Sequence, residues 1–258
     1  MKKVSLLTYV KIVVFKVFKP VEKTFAYNRM RRDKWMMKQA KNIANGSKIL
    51  DVGAGGCPYR NLYSHCEYSS HDFAQLSSSQ IQDEGGYGKI DFVSDILNIP
   101  VPDGSYDVVL CTEVIEHVPH PIEVIKELSR ILKPGGKLFI TAPLQSSLHQ
   151  EPYHFYGGFT KHWFLKFLTE NNFSDINIEE NGSLHTSYFA LGLTMVKSFL
   201  ESILSDKNLV RKLVSLISLV VFSPVLLILN PVFCFLWERI YQIKSATAGY
   251  HVSTKKSI

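Results

Sequence analysis

The stretch KILDVGAGGCP (residues 48–58) decides the fold. Its first five residues (KILDV) are mostly apolar, which is typical of a strand buried on both faces of a parallel sheet. The glycines that follow allow a tight turn in which a ligand can approach the backbone, and Pro58 suits the first residue of a helix. The dinucleotide fingerprint G-x-G-x-x-G would need its third glycine where Pro58 stands, so that fingerprint is excluded.

Outward from this stretch, strand-like and helix-like segments alternate as far as residue 183. This alternation predicts an α/β fold with a Rossmann-like, doubly wound, mostly parallel sheet of seven strands. The further strands are predicted at 68–72, 90–94, 106–111, 137–142, 175–179 and 249–253, and helices at 121–132 and 160–171. Asp72 and Asp95 follow the second and third strands, at the carboxyl edge where such sheets bind ligands.

Composition limits the class of protein. The chain has 258 residues, of which 46% are hydrophobic, so it can bury a sizeable core and is not globally disordered. Four scattered cysteines predict neither a disulfide scaffold nor a zinc–cysteine site and favour a reducing, cytoplasmic compartment. The formal charge of +6 is uneven, because residues 1–46 carry 12 basic and 2 acidic residues while 47–183 carry 9 and 18. A uniformly basic nucleic-acid binder does not show this distribution.

Both ends of the chain combine basic and apolar residues. Residues 1–20 predict a basic amphipathic helix, suited to an anionic membrane surface or to packing on a protein. The 25 residues 213–237 carry no charge but contain Pro224 and Pro231, which predicts a shallow helix–proline–helix hairpin in one leaflet. The alternative is a buried helical lid or a dimer face. The predicted organisation is a basic helical region (1–46), a core (47–183), a hydrophobic helical insertion (184–246) and a final core strand with a tail (247–258).

In combination, the motifs resemble the class I S-adenosylmethionine-dependent methyltransferases, of the type 11-like kind. The resemblance rests on ILDVGAGGCPY (49–59), Asp72, residues 94–118 and LKPGGKLFITAP (132–143), and it covers about residues 30–183 plus the final strand. It implies that the glycine turn contacts the methionine part of S-adenosylmethionine, that Asp72 binds the ribose hydroxyls, and that Phe73, Asp95 and the Ile96 backbone lie at the adenine. The cofactor-binding residues that the resemblance implies are Asp51, Gly53, Ala54, Gly55, Asp72, Phe73, Asp95, Ile96 and Thr112. Cys57 departs from the family, many members of which have a third glycine there.

The segment EVIEH (113–117) follows the fourth strand and is a candidate for chemistry at the methyl group. On a helical turn, Glu113, Glu116 and His117 would share one face, and two carboxylates with an imidazole suit a divalent metal such as Mg²⁺. The resemblance extends to ubiquinone-pathway and small-RNA O-methyltransferases, whose similar segments bind metal with a downstream histidine. His149 and His154 both offer that partner, and His154 is the better match. The candidate catalytic and metal residues are therefore Glu113, Glu116, His117 and His154, with a cap and a pocket wall as the structural alternative.

These features predict an S-adenosylmethionine-dependent methyltransferase at the cytoplasmic membrane face. Its methyl acceptor, with a hydroxyl favoured, would be small or linked to a lipid or the cell envelope, and Tyr153–Tyr156 are expected to line its pocket. The alternatives are a soluble small-molecule methyltransferase that dimerises through its ends, an RNA O-methyltransferase, and a non-catalytic module. RNA is not favoured, because apolar residues interleave with the N-terminal lysines in place of a stacking platform.

Overall fold

A computed structural model describes residues 27–77, 80–81, 86–241, 243 and 246–258. The amphipathic helix predicted for residues 1–20 lies outside them. The strands are β1 (Lys48–Val52), β2 (Glu67–Asp72), β3 (Phe92–Val93), β4 (Tyr106–Thr112), β5 (Leu132–Pro143), β6 (Phe173–Glu180) and β7 (Gly249–Lys256). The helices are α1 (Tyr27–Ala40), α2 (Pro121–Ile131), α3 (Lys161–Glu170), α4 (Leu184–Ser205), α5 (Leu209–Pro224) and α6 (Asn230–Ile240).

All seven strands form one sheet, in the order β3-β2-β1-β4-β5-β7-β6. The pairs from β3 to β5 are parallel, whereas β7 is antiparallel to both β5 and β6. The predicted mostly parallel, Rossmann-like sheet is therefore confirmed, together with the return of the chain after the insertion as a core strand. Because the strand order reverses direction at β1, the carboxyl ends of β1 and β4 form the crevice at which such sheets bind ligands.

Two apolar clusters cover the two faces of the sheet. Alternate strand residues point to opposite faces, so Leu50 and Val52 belong to one cluster and Ile49 to the other. The first cluster includes the apolar stripe of α2, whose members recur at helical spacing at Val124, Ile125, Leu128 and Ile131. The second cluster includes Trp35, Met36 and Ala40 of α1.

Local structure differs from prediction at three places in the core. Pro58 is followed only by a short 3₁₀ turn at Arg60–Tyr63, because β2 begins four residues later. The third strand is reduced to Phe92–Val93 at the edge of the sheet. The fifth strand begins at Leu132, directly after α2, and not at residue 137 as predicted, so it includes Lys133–Gly136.

The chain divides into two compact units. One consists of Lys34–Asn181 with Ala246–Ile258, and contains the sheet. The other consists of Gly182–Ser245 together with the residues up to Asp33, of which the structure describes those from Tyr27.

Within the second unit, the apolar insertion is not bent back at Pro224. The chain remains helical from α5 through a π-helical segment at Val225–Leu229 into α6, because a π-type turn accommodates the missing backbone donor and the bulk of the proline ring. The reversal occurs at residues 206–208, so that α4 packs against α5 and α6 as the other arm of a helical hairpin. The expectation of a hairpin that turns at Pro224 is therefore wrong.

The buried face of β4 offers a test of the core. Leu110 is fully buried on this central strand, and Leu110→Ala should lower the free energy of unfolding by ~2–5 kcal/mol, because the cavity left behind cannot fully close. Urea unfolding of the full chain, followed by circular dichroism, measures this loss. Leu165→Ala, at an exposed position of α3, is the control and should change stability little. Equal losses in the two variants would contradict this packing.

Candidate functional site

The glycine turn after β1 requires glycine for two reasons. Gly53 has a φ of +69°, and a Cβ on it would collide with the methyl carbons of Val114. Its amide donates to the carbonyl of His71 at 2.8 Å, as does that of Ala54 at 3.0 Å, so the turn is joined to β2. Gly55 also has positive φ, at +50°, which glycine adopts without a steric penalty.

Cys57 occupies the position at which many class I methyltransferases have a third glycine. Its φ is +56°, a left-handed conformation that is uncommon for a residue with a side chain. The amide of Cys57 donates to the carbonyl of Ala54 at 2.7 Å, and its thiol donates to the carbonyl of Lys89 at 3.5 Å. These contacts hold a conformation that glycine would reach more readily.

Gly88 contacts this turn, although it was not among the residues expected there. A Cβ on Gly88 would lie 2.7 Å from the sulfur of Cys57, and its amide donates to the carbonyl of Gly55 at 2.9 Å. The signal available in the sequence was the glycine-rich stretch GGYG (85–88), which follows no apolar periodicity.

Asp72, at the end of β2, connects the strand to the glycine turn. One carboxylate oxygen accepts a hydrogen bond from the amide of Gly55 at 2.9 Å, and the other accepts from the amide of Ala74 at 2.9 Å. Each carboxylate oxygen has a second lone pair, so the same group can accept hydrogen bonds from two vicinal hydroxyls. The residue implied to bind the ribose therefore fits that role.

Asp51 is fully buried in the centre of the sheet. The hydroxyl of Tyr68 on β2 donates a short hydrogen bond to its carboxylate. Burial raises the pKa of Asp51 to about 7; the hydrogen bond from Tyr68 opposes this shift, and the charge of Asp72 adds to it. The carboxylate thus lies close to two polar groups of β2, the Tyr68 hydroxyl and the Asp72 carboxylate.

The remaining residues implied for the cofactor lie at the same edge of the sheet. Asp95 is exposed two residues after β3, and its carboxylate accepts from the amide of Leu97 at 2.9 Å. The Ile96 side chain is buried in the core, which leaves its backbone for a ligand. Phe73 follows Asp72 and packs edge-on against Tyr153, with ring centroids 5.1 Å apart. Thr112 ends β4, where it pairs with Thr141 of β5.

The turn after β4 is not the helical face expected for residues 113–117. Glu113 has a φ of +54°, and its carboxylate accepts from the hydroxyl of Thr141 at 2.7 Å, so it faces β5. Only Ile115–His117 form a short 3₁₀ turn, in which Glu116 is almost fully buried. Among the described residues, the group close enough to share a metal ion is His117, His149 and His154. The structure therefore brings His117, His149 and His154 together and turns Glu113 towards β5, and the expected ligand set of Glu113, Glu116, His117 and His154 stays a prediction.

His117 is held as a neutral imidazole. Its Nδ1 lies 2.7 Å from the carbonyl oxygen of Tyr153, and because a carbonyl only accepts, Nδ1 carries the hydrogen and Nε2 has a free lone pair. Burial, the largest cause, together with the neighbouring His149 and His154 lowers the pKa of His117 to about 4, against the opposing effect of the hydrogen bond to Tyr153. Its Nε2 lies 3.8 Å from a carboxylate oxygen of Glu116.

The loop after β5 folds over this turn. The amides of Phe155 and Tyr156 both donate to the carbonyl of Glu116, at 2.9 and 3.1 Å. At its far end the loop returns to β5, where a Cβ on Gly158 would collide with the carbonyl group of Leu144. Phe155 and Tyr156 keep 48% and 37% of their surface exposed, so an apolar ligand could contact them. The loop thus brings aromatic side chains next to His117.

The fold and this site together define a class I S-adenosylmethionine-dependent methyltransferase. The family described as "Methyltransferase domain" matches residues 24–182, and the chain belongs to it.

Curated relatives share the core of the chain. A ubiquinone biosynthesis O-methyltransferase of Marinobacter nauticus is 33% identical over 104 residues, which are 37% of this chain and 44% of the relative. A demethylmenaquinone methyltransferase of Bacillus velezensis is 29% identical over 153 residues, which are 56% of this chain and 61% of the relative. The match therefore spans about half the length of these relatives.

Solved structures show the same fold at low identity. The (4+2)-cyclase SpnF has a TM-score of 0.54 and 15% identity, covering 90% of this chain and 81% of that one. A protein of Galdieria sulphuraria described as a sarcosine dimethylglycine methyltransferase also has a TM-score of 0.54 and 15% identity, covering 88% and 86%. These likenesses confirm the Rossmann-like architecture.

Gly53 and Gly135 allow a matched test of the glycine turn. Gly53→Ala should abolish measurable S-adenosylmethionine binding, because the new Cβ meets Val114 in addition to the strained φ. Gly135 also has positive φ, at +76°, but a Cβ there meets nothing within 4 Å. Gly135→Ala should therefore cost only the left-handed conformation, ~1–2 kcal/mol of stability, and leave cofactor affinity unchanged. Calorimetric titration compares the two, and unchanged binding by Gly53→Ala would show that the turn does not contact the cofactor.

Proposed function

We propose that this protein transfers the methyl group of S-adenosylmethionine to a hydroxyl of a small, apolar or lipid-linked acceptor at the cytoplasmic face of a membrane. The observation that carries the proposal is the neutral His117, which the loop after β5 holds beside the cofactor edge marked by Asp72 and the glycine turn. Family membership supports the reaction class, and the aromatic loop and the apolar hairpin support the acceptor class and location.

The residues present fit this chemistry. When bound, S-adenosylmethionine supplies a methyl group activated by its sulfonium, so that the protein mainly has to position the acceptor in line with it. Asp72 can hold the ribose, and the left-handed Gly53 and Gly55 allow close approach of the backbone. The free Nε2 of His117 can accept the hydrogen of the acceptor hydroxyl as the oxygen forms its bond to the methyl carbon.

The acceptor class is argued from the loop after β5. Phe155 and Tyr156 are exposed next to the turn that carries His117, and aromatic surfaces bind apolar rings or chains well. The relatives named above act, by their names, in ubiquinone biosynthesis and on demethylmenaquinone. An apolar ring with a hydroxyl is therefore the acceptor that this loop suits best.

Methyl transfer can be measured with three classes of acceptor in parallel. The full chain is incubated with methyl-labelled S-adenosylmethionine and, in separate reactions, a short-chain prenylated catechol, a water-soluble catechol and total RNA. Label should enter the prenylated catechol at least tenfold faster than the soluble one, because the apolar tail adds contacts beyond the ring. Gly53→Ala should remove the activity, and Gly135→Ala should retain it. Cofactor binding without label in any acceptor class would contradict the proposed reaction, and transfer to RNA alone would favour the RNA alternative.

The membrane proposal rests on the helical hairpin of α4 and α5–α6. By length and composition, the helix at Leu209–Trp237 could cross a membrane, a test that some soluble proteins also pass. Large apolar side chains are exposed along this helix. Among them, Ile217, Val221 and Ile228 keep 56–62% of their surface exposed. Exposed apolar surface of this extent marks an interaction site.

The geometry of the hairpin favours insertion from one side. The amide of Leu184 donates to the carbonyl of Ile243 at 3.0 Å, so the hairpin begins and ends at the same place. At the other end, the hydroxyl of Ser215 donates to that of Ser202 at 2.8 Å, and the turn at 206–208 is polar. α4 exposes polar side chains (Thr194, Ser198 and Glu201) as well as apolar ones (Tyr188, Leu191 and Met195), while the charge-free part of α5–α6 suits lipid. This arrangement supports a monotopic attachment that leaves the core on the cytoplasmic side.

Two exposed positions test this attachment. Ile217→Asp with Ile228→Asp should reduce binding to vesicles of phosphatidylglycerol and phosphatidylcholine by at least a hundredfold, because each charge costs ~2.5–3.5 kcal/mol in a bilayer core. Neither side chain is buried, so the hairpin itself should remain folded.

Flotation of the full chain with these vesicles measures the binding. Leu165→Asp, at an exposed position of α3, is the control and should float like the unaltered chain. A full chain that stays monodisperse without detergent and does not float would contradict the membrane attachment. A stable dimer without lipid, lost in the double variant, would instead identify α5–α6 as a dimer face.

A further inference from the structure

The loop after β3 carries residues implied to lie at the adenine, and it leaves the sheet from a short edge strand. β3 pairs with β2 at only two positions, His71 with Phe92 and Asp72 with Val93. The amide of Ser94 then donates to the carbonyl of Asp72 at a long 3.3 Å. Backbone pairing alone therefore holds the start of this loop weakly.

The His71 side chain adds a second connection at this point. Its Nε2 lies 3.1 Å from the carbonyl oxygen of Ser94 and 3.0 Å from the Ser94 hydroxyl. Because a carbonyl only accepts, Nε2 carries the hydrogen and donates to both oxygens. The hydroxyl of Ser94 in turn donates to the carbonyl of Asp95 at 3.3 Å. His71 is thus connected to the Asp95 carbonyl through a single side chain.

This connection fixes the direction of the peptide between Asp95 and Ile96. The Asp95 carbonyl also accepts from the amide of Asn98 at 3.1 Å, so two donors hold its oxygen. In a trans peptide the N–H points away from the carbonyl, so the Ile96 amide is directed to the opposite side. The described residues provide no acceptor for this amide. It is therefore an oriented donor next to the exposed Asp95 carboxylate.

The far end of the loop is held separately by α2. The carboxylate of Glu127 accepts from the amide of Ile99 at 2.8 Å, and the guanidinium of Arg130 donates to the Ile99 carbonyl at 2.9 Å. Residues 95–98 thus lie between two anchors, and the one next to Asp95 is His71.

The position of His71 is unfavourable for a polar ring. The residue is almost fully buried, and burial lowers the pKa of His71, so the ring is neutral and Nδ1 has a lone pair. The described residues provide no donor for this Nδ1, and a buried acceptor without a donor destabilises a fold. Its neighbour on β1, Val52, is apolar and fully buried, so packing alone favours an apolar residue here. What the histidine adds is its contact with Ser94.

We propose that His71 is a positioning residue that acts through Ser94 to hold the Asp95 carboxylate and the Ile96 amide in the arrangement that selects adenine. Adenine presents an amino donor beside an acceptor nitrogen, which matches a carboxylate acceptor beside an amide donor. Hypoxanthine presents an oxygen acceptor beside an N–H donor, so it loses both matches. The inference rests on the cofactor of the proposed function and is independent of its acceptor and of the membrane.

Calorimetric titration of the full chain with S-adenosylhomocysteine and S-inosylhomocysteine, which differ at this edge of the base, tests the proposal. The ratio of the two Kd values measures base selectivity, which a loss of stability alone does not change. His71→Leu should weaken binding of S-adenosylhomocysteine at least tenfold and binding of the inosyl analogue less than threefold. His71→Gln should keep the selectivity within threefold of the unaltered chain, because its side-chain amide can still donate to Ser94.

Two further variants make the experiment decisive. Ser94→Ala removes the link to the Asp95 carbonyl and should lower the selectivity at least threefold. It decides the outcome if His71→Leu does not fold or binds neither ligand. Leu110→Ala, which lowers stability in the other apolar cluster, is the control and should keep the selectivity of the unaltered chain.

Unchanged selectivity in His71→Leu, or an equal loss of affinity for both ligands, would overturn the proposal, as would unchanged selectivity in Ser94→Ala where that variant decides. An unaltered chain that binds neither ligand would contradict the cofactor as well. The expected loss of selectivity without methyl transfer to any acceptor would instead support the role of His71 and contradict only the proposed reaction.

Discussion

The contact between the Asp72 carboxylate and the Gly55 amide is the constraint on which the cofactor edge depends. It connects the end of β2 to the turn after β1. The second carboxylate oxygen accepts from the amide of Ala74 and so fixes the chain directly after β2. The turn presents the Gly55 amide to this carboxylate through the positive φ values of Gly53 and Gly55. Gly88 and Val114 can then approach the turn closely, and the adjacent strand ends meet at one edge.

Most of the fold could be predicted because its signals are local. The apolar run 48–52, the helical spacing of 122–132 and the glycines of the turn each depend on residues within a few positions. The strand after the insertion was also predictable, since its apolar character fits a buried position between β5 and β6. Strand limits were less predictable, because pairing extends β5 to Leu132 and β7 to Lys256, beyond the residues whose apolar pattern signals a strand.

The candidate site was only partly predictable, because its geometry is non-local. The acids of the cofactor edge could be placed from their positions after strands, whereas the spacing of Glu113, Glu116 and His117 suggested a helix that does not form. The left-handed conformation of Glu113 accompanies its contact with Thr141, 28 residues away. The ring contact between His117 and His149 likewise depends on how the loop after β5 folds. No periodicity in the sequence predicts the conformation of that loop.

In the hairpin, Pro224 considered alone predicts a break in the helix that the structure does not show. Pro224 removes a backbone donor in any helix, and in water this usually ends the helix or bends it sharply. Here a π-type turn follows the proline and the helix continues, while the polar residues 206–208 provide the reversal. The charge pattern is consistent with this arrangement, because Asp206, Lys207, Arg211 and Lys212 cluster at the turn and leave 25 uncharged residues between them and Glu238. The acidic core and the apolar hairpin therefore present different surfaces, and a mildly basic total charge conceals that difference.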